Sequence, residues 1–429
     1  MDTLRITKAK KLTGEVTVPG DKSISHRAVM CGALASGDVS ITNLCSGDDT
    51  ARTVTMFQQM GISIQAQGHH SFVIHGKGLH GLREPDDLLY AGNSGTTLRL
   101  MAGLLSAQPF FSVLSGDSSL RRRPMNRVVE PLRHMGAHIN GRDHGNFAPL
   151  AIQGGPLRGI AYHLPVASAQ VKSALLFAGL YADSQTTVIE PVLSRDHTER
   201  MLSCMGVPIN IRGSEVTVQP CEHLEPCRLD IPGDISAAAF FIVAGLIVPD
   251  AELVLRAIGI NPTRTGCIDI LRAMGGQIDI FNERIQCGEP VADIAVRSSS
   301  LVATTIEGDL IPRAIDELPI IAVAAAMAAG TTVIRNAREL RVKESDRIAA
   351  MTSELKKCGV VVEAYDDGMA ITGGRGIRGT VCDSFGDHRV AMSLAIAGLC
   401  AEEEMIIRDC SCIQTSFPEF MGTLVRIKG

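Results

Sequence analysis

Residues 324–337 read AAAMAAGTTVIRNA, a run of small apolar residues followed by a turn and a β-branched stretch. Three segments of the same length repeat this order: AGLYADSQTTVIEP at 178–191, AGLIVPDAELVLRA at 244–257 and AGLCAEEEMIIRDC at 397–410. Each pattern predicts the end of a helix, a turn and then a strand. Because the pattern recurs along the chain, we predict an α/β fold built from repeated units.

Residue pairs that end in glycine mark a second set of predicted helix ends. Five predicted helices close with Met60-Gly61, Met135-Gly136, Met205-Gly206, Met274-Gly275 and Cys358-Gly359. Glycine tolerates the left-handed conformation that often follows a helix C-terminus. The pairs recur about every 70 residues, which exceeds the usual period of a solenoid repeat. With a sixth unit starting at Leu394, we expect compact units of strands and helices, three to a domain.

The length of 429 residues favours two domains over a single core. Turn-rich segments at 19–20 and 231–234 are the predicted crossovers. A short first strand, Thr3–Ile6, precedes the first repeat and is expected to pair with the C-terminal half. We therefore predict a discontinuous C-terminal lobe of residues 1–19 plus 235–429 and an N-terminal lobe of residues 20–234.

The composition and charge of the chain argue against some classes of binding partner. The chain has a formal net charge of −5, 4 Tyr and 0 Trp, so it lacks the basic and aromatic surfaces that bind nucleic acid. Its apolar stretches are too short to span a bilayer, and its start lacks the apolar run of a signal peptide. Its 12 Cys include no CxxC pair, which suits a reducing compartment. We expect a cytoplasmic monomer without nucleic-acid or membrane partners.

Polar helix starts in the N-terminal half are candidate anion sites. Residues 19–28 read PGDKSISHRA, which places Lys22 and Ser23 at a helix N-terminus with Arg27 one turn later. Residues 91–99, AGNSGTTLR, and 165–176, PVASAQVKSALL, give two more such starts. If three repeats pack around a pseudo-threefold axis, these starts converge. A set of capped surface helices with solvated charges is the alternative.

Further charged motifs flank these helix starts. Arg123 ends an Arg run and is stiffened by the proline that follows it, and SRDHTER at 194–200 adds another Arg. The C-terminal half places acids beside cations in RAIDELP at 313–319, RVKESDR at 341–347 and Asp387-His388-Arg389. Asp316 and Glu344, with Lys22 and His388, would form a proton-transfer set. Taken singly, each of these groups is typical of an ordinary salt bridge.

Together the motifs resemble the 5-enolpyruvylshikimate-3-phosphate synthases (3-phosphoshikimate 1-carboxyvinyltransferases) of the enolpyruvyl transferase family. The resemblance is carried, in chain order between residues 19 and 420, by PGDKSISHRA, NSGTT, RPM, ASAQVKSALL, SRDHTER, NPTRTG, IDELPI, LRVKESDRI, DHRVAM and TSFPEF. It implies two domains, each of three βαβαββ repeats in an inside-out α/β barrel, with the active site in the interdomain cleft. It also implies that neither a metal nor an organic cofactor is needed.

The resemblance implies a reaction of the shikimate pathway, which leads to chorismate and the aromatic amino acids. The enolpyruvyl group of phosphoenolpyruvate passes to the 5-hydroxyl of shikimate 3-phosphate through a tetrahedral intermediate, and phosphate leaves. The implied catalytic residues are Lys22, Asp316, Glu344 and His388. Those implied to bind shikimate 3-phosphate are Lys22, Ser23, Arg27, Ser168, Ala169, Gln170, Arg195, Asp316 and Lys343. Those implied to bind phosphoenolpyruvate are Lys22, Asn93, Gly95, Arg123, Gln170, Arg347 and Arg389.

Two alternatives remain open, and the chain departs from the pattern of some members. A UDP-N-acetylglucosamine enolpyruvyl transferase has the same repeats, but it normally carries Lys-Asn at the first motif and a Cys on a mobile loop. Here the motif is Lys22-Ser23, and residues 117–125 contain no Cys. A non-catalytic anion-binding protein is the second alternative. Near the C-terminus, Thr415 or a neighbour stands where some members have a Lys that contacts phosphoenolpyruvate.

Overall fold

A computed structural model describes residues 2–68 and 70–428 of the chain. These residues form two compact units. The N-terminal unit comprises Gly20–Ile231 and Ile285–Glu289, and the C-terminal unit comprises residues 2–19, 232–284 and 290–428. Within the described ranges, no helix is both long enough and apolar enough to cross a membrane.

The units differ from the division predicted from the sequence at residues 232–234 and 285–289. Gly233 N donates to Ala257 O at 2.8 Å and Asp234 N donates to Pro19 O at 2.9 Å, so these residues belong with the C-terminal unit. Glu289 Oε1 lies 2.7 Å from His197 Nδ1, which attaches the tip of a hairpin to the N-terminal unit. None of these three contacts follows a local sequence pattern.

The strands and helices are numbered in chain order. The strands are β1 (Thr3–Ile6), β2 (Thr13–Val16), β3 (Asp38–Thr42), β4 (Ser63–Gly68), β5 (Ser71–His75), β6 (Leu89–Tyr90), β7 (Phe111–Ser115), β8 (His138–Gly141), β9 (Phe147–Gln153), β10 (Ala161–His163), β11 (Thr186–Ile189), β12 (Ile209–Arg212), β13 (Glu215–Val218), β14 (Arg228–Asp230), β15 (Glu252–Gly259), β16 (Gln277–Gln286), β17 (Glu289–Arg297), β18 (Thr305–Ile306), β19 (Thr331–Ile334), β20 (Val361–Tyr365), β21 (Gly368–Thr372), β22 (Val381–Asp383) and β23 (Met405–Arg408). The helices are α1 (Lys22–Leu34), α2 (Asp48–Gln59), α3 (Gly95–Leu105), α4 (Asn126–His134), α5 (Arg142–Gly145), α6 (Ala169–Gly179), α7 (His197–Cys204), α8 (Ile235–Ile247), α9 (Gly266–Ala273), α10 (Leu310–Ala314), α11 (Leu318–Met327), α12 (Arg347–Lys357), α13 (His388–Gly398) and α14 (Phe420–Lys428). Short 3₁₀ turns lie at Leu120–Arg122, Arg338–Val342 and Cys410–Thr415.

The sheets repeat one topology. Within the part of the chain that the structure describes, five four-stranded sheets each join a parallel pair to an antiparallel hairpin, in the orders β14-β3-β5-β4, β6-β7-β9-β8, β10-β11-β13-β12, β2-β15-β17-β16 and β18-β19-β21-β20. A sixth sheet has three strands, in the order β1-β23-β22. Three of these sheets lie in each unit, apart from the hairpin tip at 285–289. The predicted α/β fold of repeated units is confirmed.

The N-terminal segment is part of the C-terminal unit. Strand β1 pairs antiparallel with β23, with Thr3 opposite Arg408 and Ile6 opposite Met405. Strand β2 pairs parallel with β15, with Thr13 opposite Glu252. The predicted pairing of the first strand with the C-terminal half is therefore confirmed.

The five predicted helix ends are also confirmed. The glycine after each helix has a positive φ, which a residue with a side chain rarely adopts. The values are +86° at Gly61, +99° at Gly136, +84° at Gly206, +88° at Gly275 and +82° at Gly359. Each turn leads directly to the next strand, so the glycines mark the same point, between helix and hairpin, in five repeats.

Buried helices form the centre of each unit. Every residue of α8 is buried, and α8, α11 and α13 pack on one another in the C-terminal unit. In the N-terminal unit α3 packs closely on α6, since a Cβ added at Gly103 would lie 2.1 Å from Ala174 O. Apolar surfaces around the whole helix explain this burial. Because the helix bodies are apolar, their polar groups are concentrated at the N-termini, where the candidate site residues lie.

Candidate functional site

The start of α1 holds the first site residues of the N-terminal unit. Asp21 caps the helix, and its Oδ1 accepts a hydrogen bond from Ile24 N at 2.9 Å. Lys22 and Ser23 follow in the first turn, and both are half-buried. Lys22 Nζ lies 2.9 Å from Asp49 Oδ2 on α2. The helix start thus presents a cation and a hydroxyl beside its backbone N–H groups, an arrangement that suits an anion.

Arg27 is a buried cation held by neutral oxygens. Its Nε donates to Thr198 Oγ1 at 2.6 Å, NH2 to Ser173 Oγ at 2.7 Å and NH1 to Ser23 O at 2.8 Å. Burial lowers the pKa of the guanidinium to about 10, so it stays protonated at neutral pH. The nearby carboxylates of Glu199 and Asp21 act to raise this pKa and the charge of Arg195 acts to lower it, but burial outweighs the carboxylates. An anion beside Arg27 would relieve the unfavourable burial of its charge.

A second cluster surrounds the start of α3. Arg123 NH2 donates to Asn93 Oδ1, and Asn93 Nδ2 donates to Asp117 Oδ2 at 2.8 Å. A Cβ added at Gly95 would lie 3.1 Å from Arg99 NH1 and 3.4 Å from Arg123 NH1. Two guanidinium groups therefore lie close to a helix N-terminus whose first residue has no side chain.

The start of α6 is joined to the start of α3 by side-chain hydrogen bonds. Gln170 Oε1 accepts from Arg99 NH1 at 2.5 Å, and Gln170 Nε2 donates to Thr96 Oγ1 at 3.0 Å. Ser168 caps α6 by accepting from Val171 N at 3.4 Å. Ser168, Ala169 and Gln170 are half-buried, as is Arg195 before α7. The polar helix starts of the N-terminal unit are therefore connected.

In the C-terminal unit, Arg347 is surrounded by carboxylates. Its Nε donates to Asp387 Oδ2 at 2.9 Å, NH2 to Glu344 Oε2 at 2.6 Å and NH1 to Asp316 Oδ1 at 3.3 Å. Burial alone would lower the pKa of Arg347, but the three carboxylates outweigh it and the pKa is raised. Burial would raise the pKa of Asp387, but Arg347 outweighs it and the pKa is lowered. Arg347 and Asp387 are therefore both ionised at neutral pH.

Asp316 lies among three cations. Its Oδ1 is 3.3 Å from Arg347 NH1 and 3.5 Å from Lys343 Nζ, and its Oδ2 is 3.9 Å from Arg389 NH2. The side chain of Asp316 is 15% exposed and that of Glu344 is 23% exposed. Both acids therefore combine partial burial with some access to solvent, as a proton-transfer group requires.

His388 and Arg389 begin α13. Asp387 caps this helix by accepting from Arg389 N at 2.9 Å. His388 and Arg389 are 4% and 7% exposed. This places a buried imidazole next to the carboxylate that holds Arg347.

The sequence-derived site residues thus form one group within each unit. The group in the N-terminal unit consists of Lys22, Ser23, Asn93, Gly95, Arg27, Arg123, Ser168, Ala169, Gln170 and Arg195. The group in the C-terminal unit consists of Asp316, Lys343, Glu344, Arg347, His388 and Arg389. The shared position of these residues at helix starts, or just before them, is the observation on which the roles proposed below are based.

Several polar partners were not singled out from the sequence. Arg99 connects α3 to Gln170, and Ser173 and Thr198 bind Arg27 from positions 146 and 171 residues away. Arg99 could have been singled out, because a charged residue within an otherwise apolar helix indicates a specific polar partner. Hydroxyl residues carry no such signal, because they are common at helix starts and turns.

The described residues contain no group of three His, Cys, Asp or Glu arranged to hold a metal ion. Thr415, which with its neighbours was predicted to stand where some family members have a Lys, lies in a 3₁₀ turn. Its Oγ1 donates to Cys412 O at 2.7 Å.

Comparisons with known proteins agree over the whole chain. Residues 6–424 match the family model described as EPSP synthase (3-phosphoshikimate 1-carboxyvinyltransferase). The 3-phosphoshikimate 1-carboxyvinyltransferase of Pelobacter propionicus is 55% identical over 428 residues, 100% of this chain and 99% of that protein. The protein of the same name from Desulforudis audaxviator is 56% identical over 422 residues, 98% of each chain.

Solved structures have the same fold. The EPSP synthase from Acinetobacter baumannii superposes with a TM-score of 0.89 at 45% identity, covering 100% of this chain and 98% of that chain. The enolpyruvyl transferase NikO from Streptomyces tendae has a TM-score of 0.80 at 18% identity, covering 99% of this chain and 97% of that chain, which shows the fold alone. With the family model matched from residue 6 to residue 424, this chain belongs to the EPSP synthase family.

Proposed function

We propose that this chain transfers the enolpyruvyl group of phosphoenolpyruvate to the 5-hydroxyl of shikimate 3-phosphate and releases inorganic phosphate. The observation that carries the proposal is the family match over residues 6–424, supported by relatives that are 55% and 56% identical. Those relatives are named for this reaction, which favours it over transfer to UDP-N-acetylglucosamine. An EPSP synthase is an enzyme, so a purely anion-binding role is also disfavoured.

Shikimate 3-phosphate is assigned mainly to the N-terminal unit. Arg27 supports this assignment because its three hydrogen bonds go to neutral oxygens, so its charge is available to stabilise a phosphate. Ser and Gln side chains supply the shorter donors and acceptors that ring hydroxyls require. The assigned residues are Lys22, Ser23, Arg27, Ser168, Ala169, Gln170 and Arg195, with Asp316 and Lys343 from the C-terminal unit.

Phosphoenolpyruvate is assigned mainly to Arg side chains, which come from both units. Gly95 lets a ligand approach the helix start beneath Arg123. Of the three carboxylates around Arg347, Asp316 has the longest nearest contact, 3.3 Å against 2.9 Å for Asp387 and 2.6 Å for Glu344, so it is the first expected to yield to a ligand. The assigned residues are Lys22, Asn93, Gly95, Arg123, Gln170, Arg347 and Arg389.

The proposed chemistry is addition followed by elimination. The 5-hydroxyl oxygen loses its proton and forms a bond to C2 of phosphoenolpyruvate, while C3 gains a proton. C3 then loses a proton, the bond from C2 to the phosphate oxygen breaks, and phosphate leaves. We assign these proton transfers to Asp316 and Glu344, charge stabilisation or proton relay to Lys22, and a supporting role to His388. No step requires a metal or an organic cofactor.

The test is a turnover assay with purified protein. Phosphate release from phosphoenolpyruvate is measured with shikimate 3-phosphate and, in parallel, with UDP-N-acetylglucosamine, and the products are identified by mass spectrometry. We expect the enolpyruvyl ether of shikimate 3-phosphate. Turnover with the UDP-sugar alone would reverse the choice of acceptor. Calorimetric binding of both substrates without turnover would support the anion-binding alternative.

The oligomeric state and location are part of the same proposal. We expect a monomer in the cytoplasm that acts on two small phosphorylated substrates. Light scattering during gel filtration would contradict the monomer if the mass were twice the chain mass of 45.7 kDa. Activity found in a membrane or secreted fraction would contradict the location.

A further inference from the structure

A buried acid lies directly after Asp316 in the chain. The side chain of Glu317 is fully buried, and its Oε1 accepts a hydrogen bond from Ser236 Oγ on α8. The same oxygen lies 3.9 Å from Arg264 NH2 and 4.0 Å from Arg389 NH1. The carboxylate of Glu317 therefore lies between a buried Arg and an Arg of the candidate site.

Arg264 is the second cation near this acid, and it shares the Ser236 hydroxyl with it. Its NH2 donates to Ser236 Oγ at 2.7 Å and to Asp234 Oδ1 at 3.2 Å. Arg264 comes from the NPTRTG motif, which none of the proposed substrate contacts uses. A cation and a hydroxyl at the carboxylate offset part of the cost of burying a charged acid away from water.

The internal repeat gives an independent reason for this arrangement. Helices α1 and α8 begin with PGDKS at 19–23 and PGDIS at 232–236, so Ser236 corresponds to Ser23 and Ile235 to Lys22. In the N-terminal unit this helix start is proposed to bind a substrate anion. In the C-terminal unit the corresponding Ser binds the carboxylate of Glu317. The second copy of the motif therefore holds an internal anion.

We propose that Glu317 is a positioning residue that orients the Arg389 guanidinium for phosphoenolpyruvate, a role that rests on the proposed function. Glu317 lies 4.0 Å from Arg389 NH1 and Asp316 lies 3.9 Å from Arg389 NH2, so consecutive acids attract both ends of one guanidinium. At these distances the acids fix the orientation of the group by charge, without short hydrogen bonds that would compete with a ligand.

The test is the Glu317→Gln variant, which keeps the side-chain size and an acceptor for Ser236 but removes the charge. We expect the KM for phosphoenolpyruvate to rise about tenfold, while the KM for shikimate 3-phosphate stays within about twofold. Crystals of the variant should show the Arg389 guanidinium in a changed orientation. A purely structural role would not separate the two KM values.

Glu354→Gln is the matched control in the same unit. Glu354 is also fully buried, and it accepts hydrogen bonds from Lys357 Nζ at 2.8 Å and Asp383 N at 3.0 Å. We expect this variant to lower the melting temperature without separating the two KM values. Glu317→Gln would overturn the proposal if it behaved like this control, or if Arg389 kept its orientation. If the unmodified enzyme did not turn over, the proposed function would fail, but the orientation of Arg389 in the variant crystals would still decide the positioning role.

Discussion

Two buried arginines, Arg27 and Arg347, differ in the partners that surround their guanidinium groups, and this difference bears on how each would bind an anion. Arg27 has neutral partners and a pKa lowered to about 10 by burial, whereas Arg347 has three carboxylate partners and a raised pKa. A ligand anion improves the environment of Arg27 directly. At Arg347 a ligand must compete with acids of the chain, so its binding is linked to rearrangement of Asp316 or Glu344. These environments are consistent with the proposed roles, in which Arg27 binds shikimate 3-phosphate and Arg347 binds phosphoenolpyruvate beside the acids Asp316 and Glu344.

Removing the charge of Asp316 should stop turnover and leave the fold intact. For Asp316→Asn we expect kcat to fall by about 100-fold or more, as for loss of a general acid or base. The side chain is partly exposed, so the melting temperature should change little. The control is Asp279→Asn, an exposed acid that is 3.2 Å from Arg297 in the same unit. Near-normal turnover of Asp316→Asn would remove this residue from the mechanism.

A methyl group at Gly95 should act on phosphoenolpyruvate specifically. In Gly95→Ala the added Cβ would lie 3.1 Å from Arg99 NH1 and 3.4 Å from Arg123 NH1, so at least one guanidinium must shift. We expect a rise of about fivefold or more in the KM for phosphoenolpyruvate, measured by steady-state kinetics. Gly155→Ala is the control, because nothing lies within 4 Å of its added Cβ. Equal effects on both substrates would contradict the assignment of Gly95.

The site could be predicted from the sequence only where a local pattern marked it. Lys22, Ser23 and Gln170 stand at helix starts that the motifs identify, and the structure shows these helix starts. Thr198 could not be identified, because its role depends on a hydrogen bond to Arg27, 171 residues earlier in the chain. Glu317 could be taken for an ordinary acid of a charged motif, since only the packing of α8 against α11 shows its burial.

Helices α1, α2 and α3 pack together around the buried imidazole of His26, which belongs to α1. His26 Nδ1 lies 2.7 Å from Thr53 Oγ1 on α2 and 3.5 Å from Thr97 Oγ1 on α3. Burial lowers the pKa of His26 to about 3, and the nearby charges of Lys22 and Arg27 act in the same direction. The helix that carries the candidate anion site is therefore packed around a histidine that stays neutral when folded.

This histidine should make the fold sensitive to acid. The folded pKa of about 3 lies below the ordinary value of 6.5, so the unfolded chain binds more protons between these pH values. The contribution of neutral His26 is complete above pH 6.5 and is lost as the pH falls toward 3. Between pH 6.5 and pH 5 the loss from this group is about 1.5 kcal/mol.

The measurement is the free energy of unfolding in urea at both pH values. His26→Asn should reduce the loss of stability on acidification by about 1.5 kcal/mol relative to the unmodified protein. His223→Asn, which removes an exposed histidine, should leave that loss unchanged. An equal loss for His26→Asn and the unmodified protein would show that this imidazole does not control the acid response.

Considered as a whole, the molecule has two separate hydrophobic cores, one in each unit. The repeats made this predictable, because each helix-turn-strand pattern specifies which residues are buried. The same logic explains why NikO, at 18% identity, has the same fold with a TM-score of 0.80. Patterns of apolar residues and glycines survive extensive substitution, whereas the side chains that recognise a particular substrate do not.

The N-terminal segment provides a test of this two-core organisation. Leu4 and Ile6 of β1 are 3% and 4% exposed and belong to the core of the C-terminal unit, while Thr3 and Arg5 on the opposite face are exposed. Replacing both Leu4 and Ile6 by Ala should cost about 4–8 kcal/mol of stability in that unit, because each large-to-small change leaves a cavity. Hydrogen exchange measured by mass spectrometry should show faster exchange in peptides from the C-terminal unit and unchanged exchange in peptides from 20–231. The Thr3→Ala/Arg5→Ala pair should leave both patterns unchanged. Faster exchange of equal size in both units would mean that they unfold as one cooperative body.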